Sequence, residues 1–343
     1  MDKHATIYDV AKRSGVSVAT VSRVLGNSTY PVKQETREKV LKAAQALNYT
    51  PNAMGKSLKT HISHDLGVII PTITNPSYAM LLSGIQAEAS RHGYNILLCN
   101  SHRNAEHEAR NIRTLMEKRV AGILLTSIAP KLDEASQAIR AGYPLITMEQ
   151  ELQLDCIHVG YDYKSAGRMM ARYLIGQGHR RPGFIGAPLD RASRRQVLQG
   201  FKAEAAEQEL PLRDEDIHLS DVEAEGENLY EIENGQHSAA YFLAQTDRPS
   251  AFACINDLTA LGAMQGFLSA GLSVPSDVSV MGFDNIPYCT IGVPPLTTID
   301  QHAMRMGEIA AHLMIEQIEQ PEHVQYAVRL APELVERGSV RQL

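Results

Sequence analysis

The hydrophobic positions of this chain fall into two regimes. Between Thr6 and Leu47 they recur three and four residues apart, the mark of short amphipathic helices. Thr6 and Asp9 form a capping-box-like pair, with Ile7, Val10 and Ala11 on one face behind them. Gly15 suits a left-handed helix end, and Ser17 a second N-cap. The helix from Val18 to Leu25 turns Val21, Val24 and Leu25 inward and leaves Val18, Ala19, Ser22 and Arg23 outside. A third helix, about Lys33 to Leu47, offers Val40, Leu41, Ala44 and Leu47 to close a small core. Two short helices joined by a tight glycine turn are the unit that lays its second helix in the DNA major groove. Val18 and Ala19 make a thin surface that fits a groove, while Thr20, Ser22 and Arg23 can reach phosphates or base edges. A helix that merely faced solvent would more often carry Glu and Lys there.

From Leu66 onward the second regime begins, with short apolar runs alternating with helical patterns. The runs predict strands at Leu66–Ile70, Asn95–Cys99, Gly122–Thr126, Leu145–Met148, Ile157–Gly160, Gly183–Gly186, Phe252–Ile255 and Ser279–Phe283. Helices are predicted at Ala79–His92, Glu106–Lys118, Ser165–Gln177, Arg195–Glu209, Leu258–Ala270 and Ala303–Gln317. Repeating βα units with continuously apolar strands imply doubly wound parallel sheets, here in more than one lobe. Such folds bind ligands outside the carboxyl ends of their strands, and a cleft between lobes is the favoured place. Between the two regimes, Pro51 to Thr60 has a proline suited to a first helical position but a glycine, Gly55, inside. It is too short to hold as an isolated helix and reads as a segment ordered only by partners.

Charge sharpens the division. The net charge of −6 conceals a basic head: residues 1–60 hold ten Lys/Arg and four Asp/Glu, leaving 23 basic and 35 acidic residues for the remainder. Only the head is expected to meet a polyanion. At 44% hydrophobic and 21% charged, the 343-residue chain is ordinary for a soluble protein and long enough for two or three folding units. No apolar run approaches the roughly 20 residues needed to span a bilayer, and no secretory signal opens the chain. Cys99, Cys156, Cys254 and Cys289 show neither CxxC nor zinc-ligand spacing and read as buried small hydrophobes in a reducing compartment, so the expected location is the cytoplasm. No cofactor or metal is expected.

The run TIYDVAKRSGVSVATVSRVL (Thr6 to Leu25), followed by QETREKVLKAAQALNYTPNAMGKSLKT (Gln34 to Thr60), closely resembles the head and hinge of the lac repressor family (LacI/GalR). Further along, INDLTALGA (Ile255–Ala263), GLSVPSDVSVMGFDN (Gly271–Asn285), PLTTIDQ (Pro295–Gln301) and LVERGSV (Leu334–Val340) resemble its effector domain. The resemblance covers essentially the whole chain. It implies a three-helix, lambda-repressor-like head over 1–50, a hinge helix over 51–60, and over 61–343 an α/β sensor similar to periplasmic sugar-binding proteins. One lobe would hold about 61–162 and 293–320, and the other 163–292 and 321–343. It further implies that Thr6, Ser17, Thr20, Ser22 and Arg23 contact DNA backbone and bases, and that Val18 and Ala19 set base preference. Tyr8 and Asn52 would lie near phosphates, Leu58 would wedge into a central base step, and Lys59 would sit beside the minor groove. Carried over position by position, the effector contacts are Ser77, Tyr78, Glu149, Asp162, Asn256, Phe283, Asp284 and Gln301.

This chain departs from the family pattern in four places. Leu25 is followed by Gly26-Asn27, with a longer loop from Ser28 to Pro31, and Gly55 stands where alanine is usual. Val197 stands where many sugar-responsive members carry arginine, so Arg195 or Arg194 is left to supply that charge. The strand-end Asp-Arg pair is here Glu149-Gln150. The function implied is a DNA-binding regulator, a repressor, that is a homodimer on a roughly palindromic operator and responds to a sugar or related metabolite. An enzyme is disfavoured, because no GxSxG, phosphate-binding loop or HExxH signal occurs. A periplasmic or non-DNA-binding sugar-binding protein fits the body but not the basic head. A protein corepressor remains an alternative effector.

Overall fold

The computed structural model describes residues 5–26, 30–49, 63–129, 131–149, 151–220, 230–321 and 327–343. The expected hinge, with Asn52, Leu58 and Lys59, lies outside the described residues, as do residues 27–29 and Gln150. The chain divides into two compact units, one within 1–63 and one within 64–343.

The first unit has three helices among its described residues: α1 (Ile7–Ser14), α2 (Val18–Leu25) and α3 (Gln34–Ala46). Local chemistry sets their ends. Thr6 and Asp9 complete a reciprocal capping box, and Gly15 closes α1 at φ 69°, a conformation costly for a residue with a Cβ. Ser17 caps α2, its hydroxyl accepting from the Thr20 amide at 3.2 Å. Val10, Ala11, Val21, Val24, Val40, Ala43 and Ala44 form the buried core. Leu41 was expected inside but is 46% exposed. Ala43 is buried in the core in its stead.

Among its described residues the second unit carries two six-stranded sheets. Sheet one contains β1 (Asp65–Ile70), β2 (Asn95–Asn100), β3 (Gly122–Leu125), β4 (Leu145–Glu149), β5 (Ile157–Tyr161) and β11 (Ala327–Leu330). They lie side by side in the order β11-β5-β4-β3-β1-β2, all parallel. Sheet two contains β6 (Pro182–Gly186), β7 (Ile217–Leu219), β8 (Ala251–Cys254), β9 (Ser279–Asp284), β10 (Thr297–Asp300) and β12 (Glu333–Val335). Its order is β12-β10-β9-β8-β6-β7, and only β12 runs antiparallel.

The helices of sheet one are α4 (Pro76–Arg91), α5 (Ala105–Glu117), α6 (Asp133–Arg140) and α11 (Ala303–Glu319). Those of sheet two are α7 (Tyr163–Gly176), α8 (Ala192–Glu207), α9 (Tyr230–Leu243) and α10 (Asp257–Ser269). α4 and α11 approach backbone to backbone: a Cβ on Gly84 would strike the Met304 carbonyl, and one on Gly307 the Leu81 carbonyl. Among the described residues no helix is long and apolar enough to cross a membrane.

The lobe boundaries differ from the sequence expectation. Thr297–Asp300 pairs with Met281–Asp284 and so belongs to lobe two, not with 293–320 in lobe one. Ala327–Leu330 pairs with His158–Tyr161 and so belongs to lobe one, not with 321–343 in lobe two. The three crossings therefore fall after β5, after β10 and between β11 and β12. One apolar cluster runs through both lobes, from Val68 and Ile70 to Phe283 and Ile299. At the first crossing the Tyr161 and Tyr163 rings lie 5.8 Å apart, and Tyr163 stacks on Phe283 of lobe two at 6.3 Å. Cys254 and Cys289 are buried, Cys99 and Cys156 half-buried, and all four are free thiols.

Candidate functional site

Two surfaces carry candidate chemistry, one on each unit. On the head, α2 presents Ser17, Ala19, Ser22 and Arg23 to solvent, while Val18 and Thr20 are half-buried and Val18 packs on the core. Its first turn has no acidic residue, so nothing on the helix itself opposes an anion at its N-terminus. Thr6 is exposed, with its hydroxyl 2.7 Å from the Asp9 carboxylate, and Tyr8 is 71% exposed on α1. The Arg23 guanidinium lies 4.3 Å above the Tyr30 ring. Sequence reading passed over Tyr30, whose only signal was an aromatic residue in the loop after α2. That stacking holds the guanidinium at the edge of the α2 face.

In the second unit the carboxyl ends of both sheets face one cleft of about 90 Å³. Strand-end geometry puts the predicted residues there. Ser77 and Tyr78 lie in the first turn of α4, which Asn75 caps by accepting from the Ser77 amide at 2.9 Å. Glu149 ends β4, Phe283 and Asp284 end β9, Asn256 follows β8 and Gln301 follows β10, and all five line the cleft. The Tyr78 hydroxyl donates to Glu149 at 3.4 Å, and the Gln301 amide donates to Asp284. Glu149 and Asp284 leave their strands at φ 67° and 128°. Such backbone is costly for residues with a Cβ and is characteristic of binding sites.

Two predicted contacts are elsewhere. Asp162 is exposed and caps α7, accepting from the Ser165 amide at 2.9 Å and its hydroxyl at 2.7 Å. Those bonds, the Ser165 amide foremost, hold its carboxyl below the usual range. Arg195 is exposed and turns back to the carbonyls of Leu189 and Asp190, both at 2.6 Å. The cleft arginines are instead Arg103, Arg191 and Arg194, the last held by Pro188 and Asp190. Val197 lines the cleft and is buried.

Sequence reading missed Arg103 and Glu231. The Arg103 guanidinium, from the loop after β2, donates to Glu231 of α9 at 2.6 Å, with the two side chains 3% and 9% exposed. The pair joins lobe one to lobe two at the cleft wall. Burial pushes Glu149 up to about 7, against the nearby charge of Arg191, the Tyr78 hydrogen bond and the charge of Arg194. Burial, reinforced by Asp257 and Glu149, raises Asp284 well above the ordinary carboxylate range. A protonated carboxyl both donates and accepts. Together with three arginines and the Phe283, Tyr163 and Tyr78 rings, these groups suit a small molecule rich in hydroxyl or amide groups with one apolar face.

Known proteins match both units. Residues 6–52 match bacterial regulatory proteins of the lacI family, and residues 171–340 match the periplasmic binding protein-like domain. The chain is 33% identical over 347 residues to the HTH-type transcriptional repressor PurR of Mannheimia succiniciproducens, covering 99% of each. It is 34% identical over 345 residues to the ribose operon repressor of Escherichia coli, covering 98% of this chain and 99% of that one. The lac repressor dimer bound to operator superposes with a TM-score of 0.85 at 26% identity, over 99% of this chain and 100% of that one. This chain belongs to the lacI family of bacterial regulatory proteins.

Proposed function

We propose that this protein is a cytoplasmic transcriptional repressor that binds a two-fold symmetric operator as a homodimer, with a small polar metabolite in the interlobe cleft setting its operator affinity. One observation carries the effector half: carboxyl groups from different lobes, Glu149 and Asp284, line one small cleft beside the Arg103–Glu231 bridge. A ligand there touches both lobes and shifts their arrangement by its differential affinity for the two states. The exposed α2 face, with Ser17, Ser22 and Arg23 around Ala19, supports major-groove reading. Tyr8 and Asn52 are assigned to phosphates, Thr6 to the DNA-facing end of α1, and Leu58 and Lys59 to the minor groove.

Homodimerisation is supported by three exposed apolar side chains in the loop between β9 and β10. Tyr288, Ile291 and Val293 are 48%, 75% and 91% exposed, a concentration characteristic of association surfaces. Relatives named for ribose and for lac control make a sugar or related metabolite the first effector class to try. No catalytic step is assigned to the cleft.

A thermal-shift screen against sugars, sugar phosphates, nucleosides and purines tests the effector half. A ligand at 100 times its Kd stabilises by about 2.7 kcal/mol, and operator titration with and without it gives the sign. If no compound shifts the melting and operator affinity stays fixed, the small-molecule reading fails and a protein corepressor replaces it.

A further inference from the structure

Away from the cleft, the outer side of lobe one brings together three potential metal ligands that the regulatory reading does not use. Glu88 and His92 are four residues apart at the end of α4, and His312 comes from α11 across the helix pair. The close approach at Gly84 and Gly307 brings the helices near enough for the side chains to converge. Glu88 Oε1 lies 3.3 Å from His92 Nε2 and 3.1 Å from His312 Nδ1, and the three ligand atoms all lie within 4.8 Å of one another. The edge of a zinc tetrahedron with bonds of about 2.1 Å is about 3.4 Å. The two carboxylate–imidazole spacings already approach that edge.

Burial opposes ionisation of Glu88, but hydrogen bonds from Arg91 and His312 and the charges of Arg91 and His92 outweigh it and hold the carboxyl below its usual range. Its other oxygen accepts from Arg91 at 2.8 Å, a bond that orients the carboxylate and leaves Oε1 facing the imidazoles. The Arg91 side chain is 65% exposed, so its charge is well screened by water and opposes a cation only weakly. His92 and His312 are 39% and 58% exposed, which gives a cation an open path in.

We propose that Glu88, His92 and His312 bind one zinc-class divalent cation, with the remaining coordination position left to water. Two imidazoles and one carboxylate are the donor set that zinc takes in open three-ligand sites, and the imidazoles disfavour the hard oxygen-seeking cations. The cation would fasten α4 to α11 on the side away from the cleft.

Tag-free, full-length protein stripped with a chelator is titrated with cobalt(II) as a visible-absorbing stand-in, then with zinc(II) in competition. The proposal expects one equivalent of cobalt, displaced by zinc, and melting raised by zinc. His92→Gln, His312→Gln and Glu88→Gln should each weaken binding at least about tenfold, the scale for loss of a metal-site partner. Chelator-treated variants that melt cooperatively show that folding is intact. If wild-type protein takes up no stoichiometric cobalt and zinc leaves its melting unchanged, the cluster is only an ion-paired helix contact and the proposal is wrong. It is equally wrong if the His92→Gln/His312→Gln double variant binds cobalt as tightly as wild type.

Discussion

Arg103 of lobe one donates a 2.6 Å hydrogen bond to Glu231 of lobe two, with both side chains almost wholly enclosed at the cleft wall. Removing one partner of such a pair strands the other charge in a low-dielectric site. Arg103→Met or Glu231→Leu alone should each destabilise the protein by roughly 3 kcal/mol, whereas the Arg103→Met/Glu231→Leu double variant should recover much of the loss. Urea unfolding of the four proteins of this cycle checks this. Simple additivity of the single losses would show that the two side chains are not coupled.

The raised carboxyl of Glu149 makes stability fall as pH rises. Between its ordinary value of 4.5 and about 7, the folded protein holds a proton at Glu149 that the unfolded chain has released. The stabilisation from that proton is complete below about 4.5 and lost by about 7 to 8, with an upper bound of roughly 3 kcal/mol. Asp284 slopes the same way, while Asp162 and Glu204 are held below their usual range and weaken the fold only in more acid solution. Burial holds His158 and His179 below the usual imidazole range, which slopes the other way, so the test is a difference: from pH 5 to 8 the melting temperature of Glu149→Gln should rise relative to that of wild type. An unchanged slope in that variant would remove Glu149 from the account.

Asp257 should matter for folding rather than for ligand. Its buried carboxylate accepts from the Ile286 amide at 2.9 Å, the Thr298 hydroxyl at 2.5 Å and the Cys289 thiol at 3.0 Å. Asp257→Ala leaves those donors unpaired and should cost about 3 kcal/mol. Asn256→Ala loses a helix cap and a cleft-lining amide, so it should cost only about 1 kcal/mol yet weaken the effector response. Denaturant midpoints and effector titrations of both variants separate these effects. The reverse pattern would exchange the two roles.

On the head, charge and shape should separate. Arg23→Ala should weaken all DNA sequences and lower the salt dependence by about one counterion. Val18→Ala should change which half-site is preferred while leaving that slope in place. Anisotropy titrations at several salt concentrations distinguish them. If Val18→Ala lowers affinity equally on all sequences, Val18 supports the fold and does not read bases.

What was legible in the sequence was local. Thr6, Gly15 and Ser17 act through bonds to backbone within a few residues, so their caps could be read from spacing alone. The strand-end residues were legible because a βα repeat fixes where strands end, and seven of the expected contacts line the cleft. Asp162 shows the limit: a carboxylate before a helix can cap it or face a ligand, and here it caps. Asn234-Gly235 hid α9, although Gly235 is what lets α9 press against Thr259 of α10. Nothing along the chain says that Arg103 meets a residue 128 positions away, or Glu88 one 224 positions away. Likewise, Thr297–Asp300 is not among the expected strands, and nothing along the chain says which sheet it joins; the pairing with β9 decides that.

Selection of random duplex DNA by the full-length protein tests the central claim most directly. The account predicts enrichment of a two-fold symmetric site whose half-sites fall in consecutive major grooves, about 10 base pairs apart, around a flexible central step. It further predicts that Ala19 and Val18 variants enrich different half-sites. Recovery of DNA without sequence preference, at the affinity set by salt alone, would contradict it.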